Sequence, residues 1–244
     1  MPPLFDFFMA ALLAALVTGI SKIHSPRRKT FVYAFPIPFA LAFLVGSKPL
    51  SCSHAVGALS VHIFLWSIWG LHKRTGWPVY VIDILMALVY LGGVSAADRS
   101  LENNSDFLFY GLITLGITFS IATRWLPNVE EQGHVSPMPV PKKFLLVFIV
   151  AASLFSLKNT LGSAVATFPY LGVFTVFECR HSLYTLSKRF GRLSIAFMFL
   201  LASLRFFQAH MPMPQALVWA WLPCLATLAI LQRGAKEEGE RREE

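Results

Sequence analysis

The chain has 244 residues, of which 55% are hydrophobic and only 14% are charged, and its formal net charge is +8. A soluble chain of this length would spread its charges along amphipathic helices. Here the apolar residues come in blocks separated by short polar stretches, which predicts an integral membrane protein. The positive charge is expected to face anionic lipid on the cytoplasmic side and does not indicate a nucleic-acid partner.

The apolar blocks predict an all-α fold with nine transmembrane spans. They cover Leu4–Ile20, Thr30–Val45, Ala55–Leu71, Val79–Ser95, Phe107–Thr123, Phe144–Leu157, Leu161–Phe177, Leu193–Phe207 and Ala216–Leu231. Several are shorter than the roughly 20 residues that cross a bilayer, so they must be extended, bent or shielded by neighbouring helices. Eight spans are the alternative, in which one short segment is re-entrant. The start Met1-Pro2-Pro3 lacks the basic region of a cleavable signal peptide, and none is predicted.

Lysine and arginine residues are divided unequally between the two sides of this nine-span arrangement. Seventeen of the 21 fall in loops one, three, five and seven or in the C-terminal tail, and only Lys48, Arg99 and Lys158 fall on the opposite side. Because basic loops stay in the cytoplasm, the N-terminus is expected outside and the C-terminus inside. We expect a protein of the bacterial plasma (inner) membrane, in contact with membrane lipids.

A short motif recurs in the two halves of the chain. Val32-Tyr33-Ala34-Phe35-Pro36 is echoed by Val165-Ala166-Thr167-Phe168-Pro169, and each copy lies early in an apolar run that follows a lysine, Lys22 or Lys158. A proline inside a membrane helix removes a backbone donor and clashes with the preceding turn, so both spans are expected to bend or break. The alternative is that a Phe-Pro pair recurs by chance among 22 phenylalanines and 15 prolines.

The pattern of spans around the motif predicts an inverted-topology repeat. Spans 1–4 match spans 6–9, with span 5 as the odd helix between them. Since the offset is five spans, the two halves enter the membrane in opposite directions, as in many secondary transporters whose site lies between the repeats. The predicted units are residues 1–95, the linking span and polar loop 96–143, residues 144–232 and the charged cytoplasmic tail 233–244.

Each half also resembles the small four-span GlpM-like membrane proteins. The resemblance lies in a lysine after the first span, a Phe-Pro pair early in the second span, and Gly46-Ser47-Lys48 after it. It covers residues 1–70 and, less closely, residues 145–210. It implies a duplicated four-helix architecture and brings no activity with it.

Ionisable and polar residues in the spans or at their ends are the candidate site residues, because a charge within the bilayer is costly. The substrate-binding candidates are Arg205, Lys22, Lys158, Asn159, Thr167 and Gln208, the helix-break candidates are Pro36, Pro38 and Pro169, and the proton-coupling candidates are Glu178 and Asp83. Arg205 leads because it is predicted deep in span 8 and keeps its charge. Structural alternatives are an ion pair of Arg205 with Asp83 or Glu178, lysines that reach lipid headgroups, and an interfacial Asp83.

Cysteine and histidine placement predicts neither a metal site nor a cofactor. The three cysteines, Cys52, Cys179 and Cys224, form no Cys-x-x-Cys pair and lie far apart, so no disulfide framework or redox motif is indicated. Four histidines could suggest haem, but none is clearly paired on a facing helix at a matching depth. They are His54, His62, His181 and His210.

These features favour a secondary transporter or lipid flippase for a small anionic or phosphate-bearing substrate, moved by alternating access between the two halves. Polyprenyl phosphates and small organic acids both fit. One alternative is a non-catalytic subunit of a larger membrane complex, and a less favoured one is a membrane enzyme acting on lipid headgroups near Glu178–His181. An enzyme is not the expected class. The expected partners are membrane lipids, the substrate, and a second copy or other membrane subunits.

Overall fold

The fold is built from helices throughout the part of the chain that the structure describes. The computed structural model describes residues 3–23, 25–46, 49–101, 105–127, 129, 131 and 138–240. Within these ranges no strand occurs, and a short 3-10 turn follows α6. The α-helices are α1 Pro3–Ser21, α2 Pro26–Tyr33, α3 Ile37–Gly46, α4 Cys52–Thr75, α5 Val79–Ser100, α6 Asp106–Ala122, α7 Val140–Ser156, α8 Lys158–Leu161, α9 Ser163–Thr167, α10 Tyr170–Glu178, α11 Leu183–Gln208 and α12 Met213–Glu240.

Seven helical segments in the described residues are long and apolar enough to cross a membrane. They are Leu4–Ser21, Arg28–Gly46, Cys52–Thr75, Val79–Ser100, Asp106–Trp125, Leu183–Gln208 and Met213–Arg233. Their length and composition support an all-α integral membrane protein, as the sequence predicts.

The other two predicted spans are helical but short. Phe144–Leu157 corresponds to α7, which has 17 residues, and Leu161–Phe177 corresponds to the apolar stretch Ser163–Glu178. That stretch is divided between α9, with five residues, and α10, with nine. The structure therefore supports seven long spans, and a nine-span arrangement requires α7 and the divided helix to cross as well.

Some predicted features lie outside the described residues. These are Ser47 and Lys48 of the motif shared with GlpM-like proteins, most of the polar loop between the halves, and the last four residues of the tail. Within the described ranges, Gly46 ends α3 and Lys158 begins α8.

The chain breaks its helices at both copies of the repeated motif. The first break separates α2, which ends at Tyr33, from α3, which begins at Ile37 directly after Pro36. Pro38 lies in the first turn of α3, where a missing N–H group costs little. The second break separates α9 from α10 at Phe168 and Pro169. A proline disfavours helical geometry in the preceding residue, and Phe168 accordingly has extended backbone angles, with φ −52° and ψ 133°.

Two long helical hairpins support these breaks. The α4/α5 hairpin turns at Gly76, whose positive φ of 68° is a conformation that glycine adopts readily. The second hairpin is formed by α11 and α12. The helix α1 packs along α7, α11 packs against α4 and α6, and α3 packs against α9. The two broken helices therefore lie between the hairpins, inside the bundle.

Candidate functional site

Both helix breaks line one cavity. About 60 Å³ of it is open to a water-sized molecule, and the whole hollow, including its open mouth, measures about 430 Å³. The first break contributes Tyr33, Ala34, Phe35, Pro36, Pro38 and Phe39, and the second contributes Thr167, Phe168, Pro169, Tyr170 and Leu171. Val61 of α4 and Phe190 and Phe197 of α11 complete the lining. The walls are therefore mainly aromatic and aliphatic, and the polar groups are concentrated at the two breaks.

Glycines allow the broken helices to approach their neighbours closely. A Cβ atom at Gly172 would lie 2.5 Å from the Tyr33 hydroxyl oxygen and 2.9 Å from Pro169 Cβ. A Cβ atom at Gly57 would overlap the Thr167 hydroxyl. A larger residue at either position would push a break out of its place, so these two glycines set the shape of the cavity.

Tyrosine hydroxyls satisfy backbone carbonyls that the second break leaves without helical partners. The Tyr90 hydroxyl lies 2.6 Å from the Thr167 carbonyl oxygen and 3.1 Å from that of Gly57, and can donate to either. The Tyr170 hydroxyl donates to the Val165 carbonyl at 2.9 Å. Since Tyr90 belongs to α5, its hydroxyl ties α4, α5 and α9 together at the edge of the cavity.

Removing the Tyr90 hydroxyl is expected to weaken this junction. The substitution Tyr90→Phe leaves the buried Thr167 carbonyl without this donor and should lower the free energy of unfolding by about 1–3 kcal/mol. The midpoint of thermal unfolding in detergent micelles measures the loss. Tyr80→Phe is the matched control, because Tyr80 lies on the same helix and is 56% exposed. Equal midpoints for the two variants would contradict the prediction.

The two breaks also present helix N-termini to the cavity. The N–H groups of Phe39 in α3 and of Leu171 and Gly172 in α10 make no hydrogen bond with the described residues. The first N–H groups of a helix have no partner within the helix, and the helix dipole makes this end favourable for an anion. The cavity therefore lies beside the N-terminal ends of two half-helices, each with backbone donors that the helix leaves unused.

Predicted site residues fall into two groups. Thr167, Pro36, Pro38 and Pro169 line the cavity. The other five substrate candidates do not appear in its lining. The proline motif therefore brings together residues that are far apart in the sequence, whereas the candidate charges lie elsewhere.

Arg205 joins the end of α11 to Leu50, just before α4, and to the start of α6. It lies in the last turn of α11, and the prediction that it is deep in its span is wrong because α11 ends only three residues later, at Gln208. Its guanidinium pairs with Asp106 at 2.8 Å and donates to the Leu50 carbonyl at 2.7 Å. The suggested pairing with Asp83 or Glu178 is therefore wrong. Gln208 bonds both the N–H and the carbonyl of Leu50, at 2.9 and 3.2 Å.

The repeat lysines differ in their surroundings. Lys158 forms an ion pair with Asp6 of α1 at 2.7 Å, and this pair joins α8 to the start of the chain. Lys22 is exposed, as is Asn159. The predicted equivalence of the two lysines therefore does not extend to their contacts.

The two carboxylates predicted for proton coupling are both buried. Glu178 forms an ion pair with Lys143 at 2.7 Å, with side-chain exposures of 5% and 10%. Asp83, for which an interfacial position was an alternative, is also buried. The helix that carries it, α5, packs against α4, α9 and α10. Its Oδ1 atom has no hydrogen bond with the described residues.

Sequence reasoning did not single out Tyr33, Tyr90, Gly57, Gly172 or the contacts of His62. His62 of α4 bonds Ser194 of α11, which contacts Ser120 of α6. The sequence shows a histidine and two serines inside apolar spans. It does not show that these three side chains meet.

Comparisons of the chain with models of protein families, with curated proteins and with solved structures find no match. Among the described residues, no three His, Cys, Asp or Glu side chains are grouped so that they could hold a metal ion. The functional assignment below therefore depends on the geometry of the cavity.

Proposed function

We propose that this chain is a secondary transporter or lipid flippase that binds a small anionic or phosphate-bearing group between the two helix breaks. The observation that carries the proposal is that two breaks, separated by more than 100 residues in the sequence, line a single cavity. Proline-interrupted helices at matching positions of two halves are typical of transporter binding sites.

The packing of the helices supports the inverted repeat on which alternating access would depend. A two-fold relation between spans 1–4 and spans 6–9 would place equivalent helices against each other, and α1 packs on α7 while α4 packs on α11. It would also pair the α4–α9 contact with the α11–α2 contact and the hairpin α4/α5 with α11/α12, and these four contacts occur. The contacts of α5 with α9 and α10 have no counterpart of similar extent between α12 and α2 or α3 in the described residues. In this proposal the chain is a duplication in which each half is one GlpM-like unit, and α6 is the linking helix.

The nine-span topology belongs to the same proposal. It counts α7 and the divided helix α9/α10 as spans, which puts the N-terminus outside and the C-terminus in the cytoplasm of a bacterial inner membrane. Burial of α9 among α3, α4 and α5 supports a short, divided span at this position, because irregular backbone is tolerated where other protein surrounds it.

The free N–H groups at the starts of α3 and α10 support an anionic substrate. In this proposal they bind the charged group, Thr167 adds a hydroxyl, and the aromatic walls hold an apolar portion such as a lipid chain. Arg205 and Gln208 position Leu50 rather than the substrate. Two further roles stay predictions: that Lys22 and Lys158 draw an anion toward the broken helices, and that Asn159 donates a hydrogen bond to the substrate.

The test is transport by purified protein in liposomes of phosphatidylethanolamine and phosphatidylglycerol. The probes are radiolabelled phosphate, radiolabelled succinate and a fluorescent short-chain polyprenyl phosphate. At least one probe is expected to cross faster than in protein-free liposomes. The substitution Ala34→Leu should abolish this flux, because the larger side chain fills the cavity beside the first break.

The matched control is Ala15→Leu, which makes the same change on the exposed face of α1 and should keep the flux. Gel filtration checks that both variants remain folded. A folded Ala34→Leu protein that transports as fast as the unmodified protein would overturn the proposed site, and the absence of flux for all three probes would overturn the proposed substrate class.

A further inference from the structure

His62 lies in an unusual position for a histidine. It is near the middle of the membrane-spanning helix α4, and only 2% of it is exposed. Its ring lies between two aromatic rings, with centroid distances of 5.0 Å to Phe119 of α6 and 5.5 Å to Phe190 of α11. An ionisable group at this depth is costly, so its presence calls for a function.

The hydrogen bonds around His62 indicate which of its two ring nitrogens carries the proton. Nε2 lies 3.0 Å from the Ser194 hydroxyl, which lies 2.9 Å from the Ser120 hydroxyl. The serines can donate to the Gly191 and Gly116 carbonyls, both at 2.7 Å. Since each hydroxyl has only one proton, the network is best satisfied when His62 Nε2 donates to Ser194. Nδ1 is then a bare lone pair, and it has no hydrogen bond with the described residues.

We propose that His62 Nδ1 is the proton-binding site that couples proton movement to substrate movement in this protein. The inference rests on the proposed transport function. The proton adds to the Nδ1 lone pair of the neutral ring, forms the imidazolium, and later leaves from the same nitrogen. The rings of Phe119 and Phe190 can stabilise the cation between them, while Ser194 keeps its bond to Nε2.

Phe190 connects this site to the cavity. Its ring contacts His62 on one side and Tyr33 on the other, with a centroid distance of 4.7 Å to Tyr33, and it belongs to the cavity lining. Opposite charges attract across the low-dielectric interior, so an anion in the cavity beside Phe190 and a proton on His62 would stabilise each other's binding.

The polar contacts of His62 run through α11 to α6. Its Nε2 bonds the Ser194 hydroxyl of α11, which in turn contacts the Ser120 hydroxyl of α6. Tyr33 of α2 lies behind Phe190. On the other packed helices, Tyr90 of α5 and the Thr167 carbonyl of α9 meet α4 at Gly57, more than one turn before His62.

Asp83 is the competing proton site. Its Oδ1 also has no hydrogen bond with the described residues, but Asp83 does not belong to the cavity lining. His62 is favoured because it contacts Phe190 of the cavity wall directly and has a second aromatic ring, that of Phe119, beside it. Glu178 is less suited, because Lys143 already neutralises it.

The test is solid-state NMR of the full chain with ¹⁵N-labelled histidine, in liposomes of phosphatidylethanolamine and phosphatidylglycerol, between about pH 3 and 8. The signal that is missing from His62→Gln is expected to change from the neutral Nε2–H form to imidazolium as the pH falls. Phe190→Leu should lower the pH at which this change occurs, because it removes one stabilising ring. A His62 signal that stays neutral throughout, or one in the Nδ1–H form, would overturn the proposal.

Transport measurements distinguish this inference from the proposed function. With phosphate as the probe, His62→Gln should lose uptake driven by a pH gradient and keep phosphate exchange across the membrane. Asp83→Asn is the control and should keep both. Loss of gradient-driven uptake in Asp83→Asn but not in His62→Gln would overturn the assignment to His62. Absence of all phosphate movement in the unmodified protein would count against transport of this probe, whatever the NMR result.

Discussion

Replacing Lys143 with methionine is expected to lower the free energy of unfolding by about 3–5 kcal/mol, because it removes the ammonium group that pairs with the buried Glu178 carboxylate. The two groups lie 2.7 Å apart and join α7 to the end of α10. Denaturant unfolding in mixed micelles, followed by tryptophan fluorescence, measures the change.

Two further variants separate loss of the pair from loss of side-chain packing. The double variant Lys143→Met with Glu178→Gln should recover much of the stability, since no uncompensated charge remains. Lys158→Met should cost less than Lys143→Met, because the Lys158–Asp6 pair has 18% exposure on each side and is better solvated. A double variant no more stable than Lys143→Met alone would contradict this account.

Substituting alanine for Gly57 is expected to disrupt the packing of α4 against α9. The added Cβ would overlap Thr167 in a contact where both residues are buried or nearly so. Overpacking of this kind typically costs about 1–3 kcal/mol. The effect should appear as a lower midpoint of thermal unfolding and, because Thr167 lines the cavity, as slower transport.

Gly70→Ala is the matched control for Gly57→Ala. Gly70 lies on the same helix, and a Cβ atom there would have no neighbour within 4 Å. Without a clash, alanine is expected to raise helix stability by up to about 1 kcal/mol over glycine. If Gly57→Ala unfolds at the same temperature as Gly70→Ala, close approach at Gly57 is not important for the fold.

The sequence was a good guide where local chemistry decides the structure. Pro36 and Pro169 break their helices because a proline has no N–H group and restricts the preceding residue, and this depends only on nearby residues. Long apolar runs likewise predicted most of the spans. The meeting of both breaks at one cavity could be suspected from the repeated motif, since matching breaks in two halves suggest a shared site.

The partners of the charged residues could not be predicted from the sequence. Arg205 pairs with Asp106 because the end of α11 lies beside the start of α6, and Lys158 pairs with Asp6 across 152 positions of the chain. Each pairing is decided by how distant helices pack. The extension of α11 back to Leu183 was missed because Lys188, Arg189 and Arg192 interrupt its hydropathy without interrupting the helix.

The cavity also depends on helices that cross between the two ends of the chain. The broken helix α9/α10 of the C-terminal part lies against the N-terminal hairpin α4/α5, and α2 of the N-terminal part lies against α11. During synthesis, the N-terminal helices therefore enter the membrane before α9 and α10 exist to fill the groove beside α4 and α5. That groove must stay open to lipid, or be protected by an insertion factor, until the second half of the chain leaves the ribosome. The cavity is then completed only in the last stage of membrane insertion.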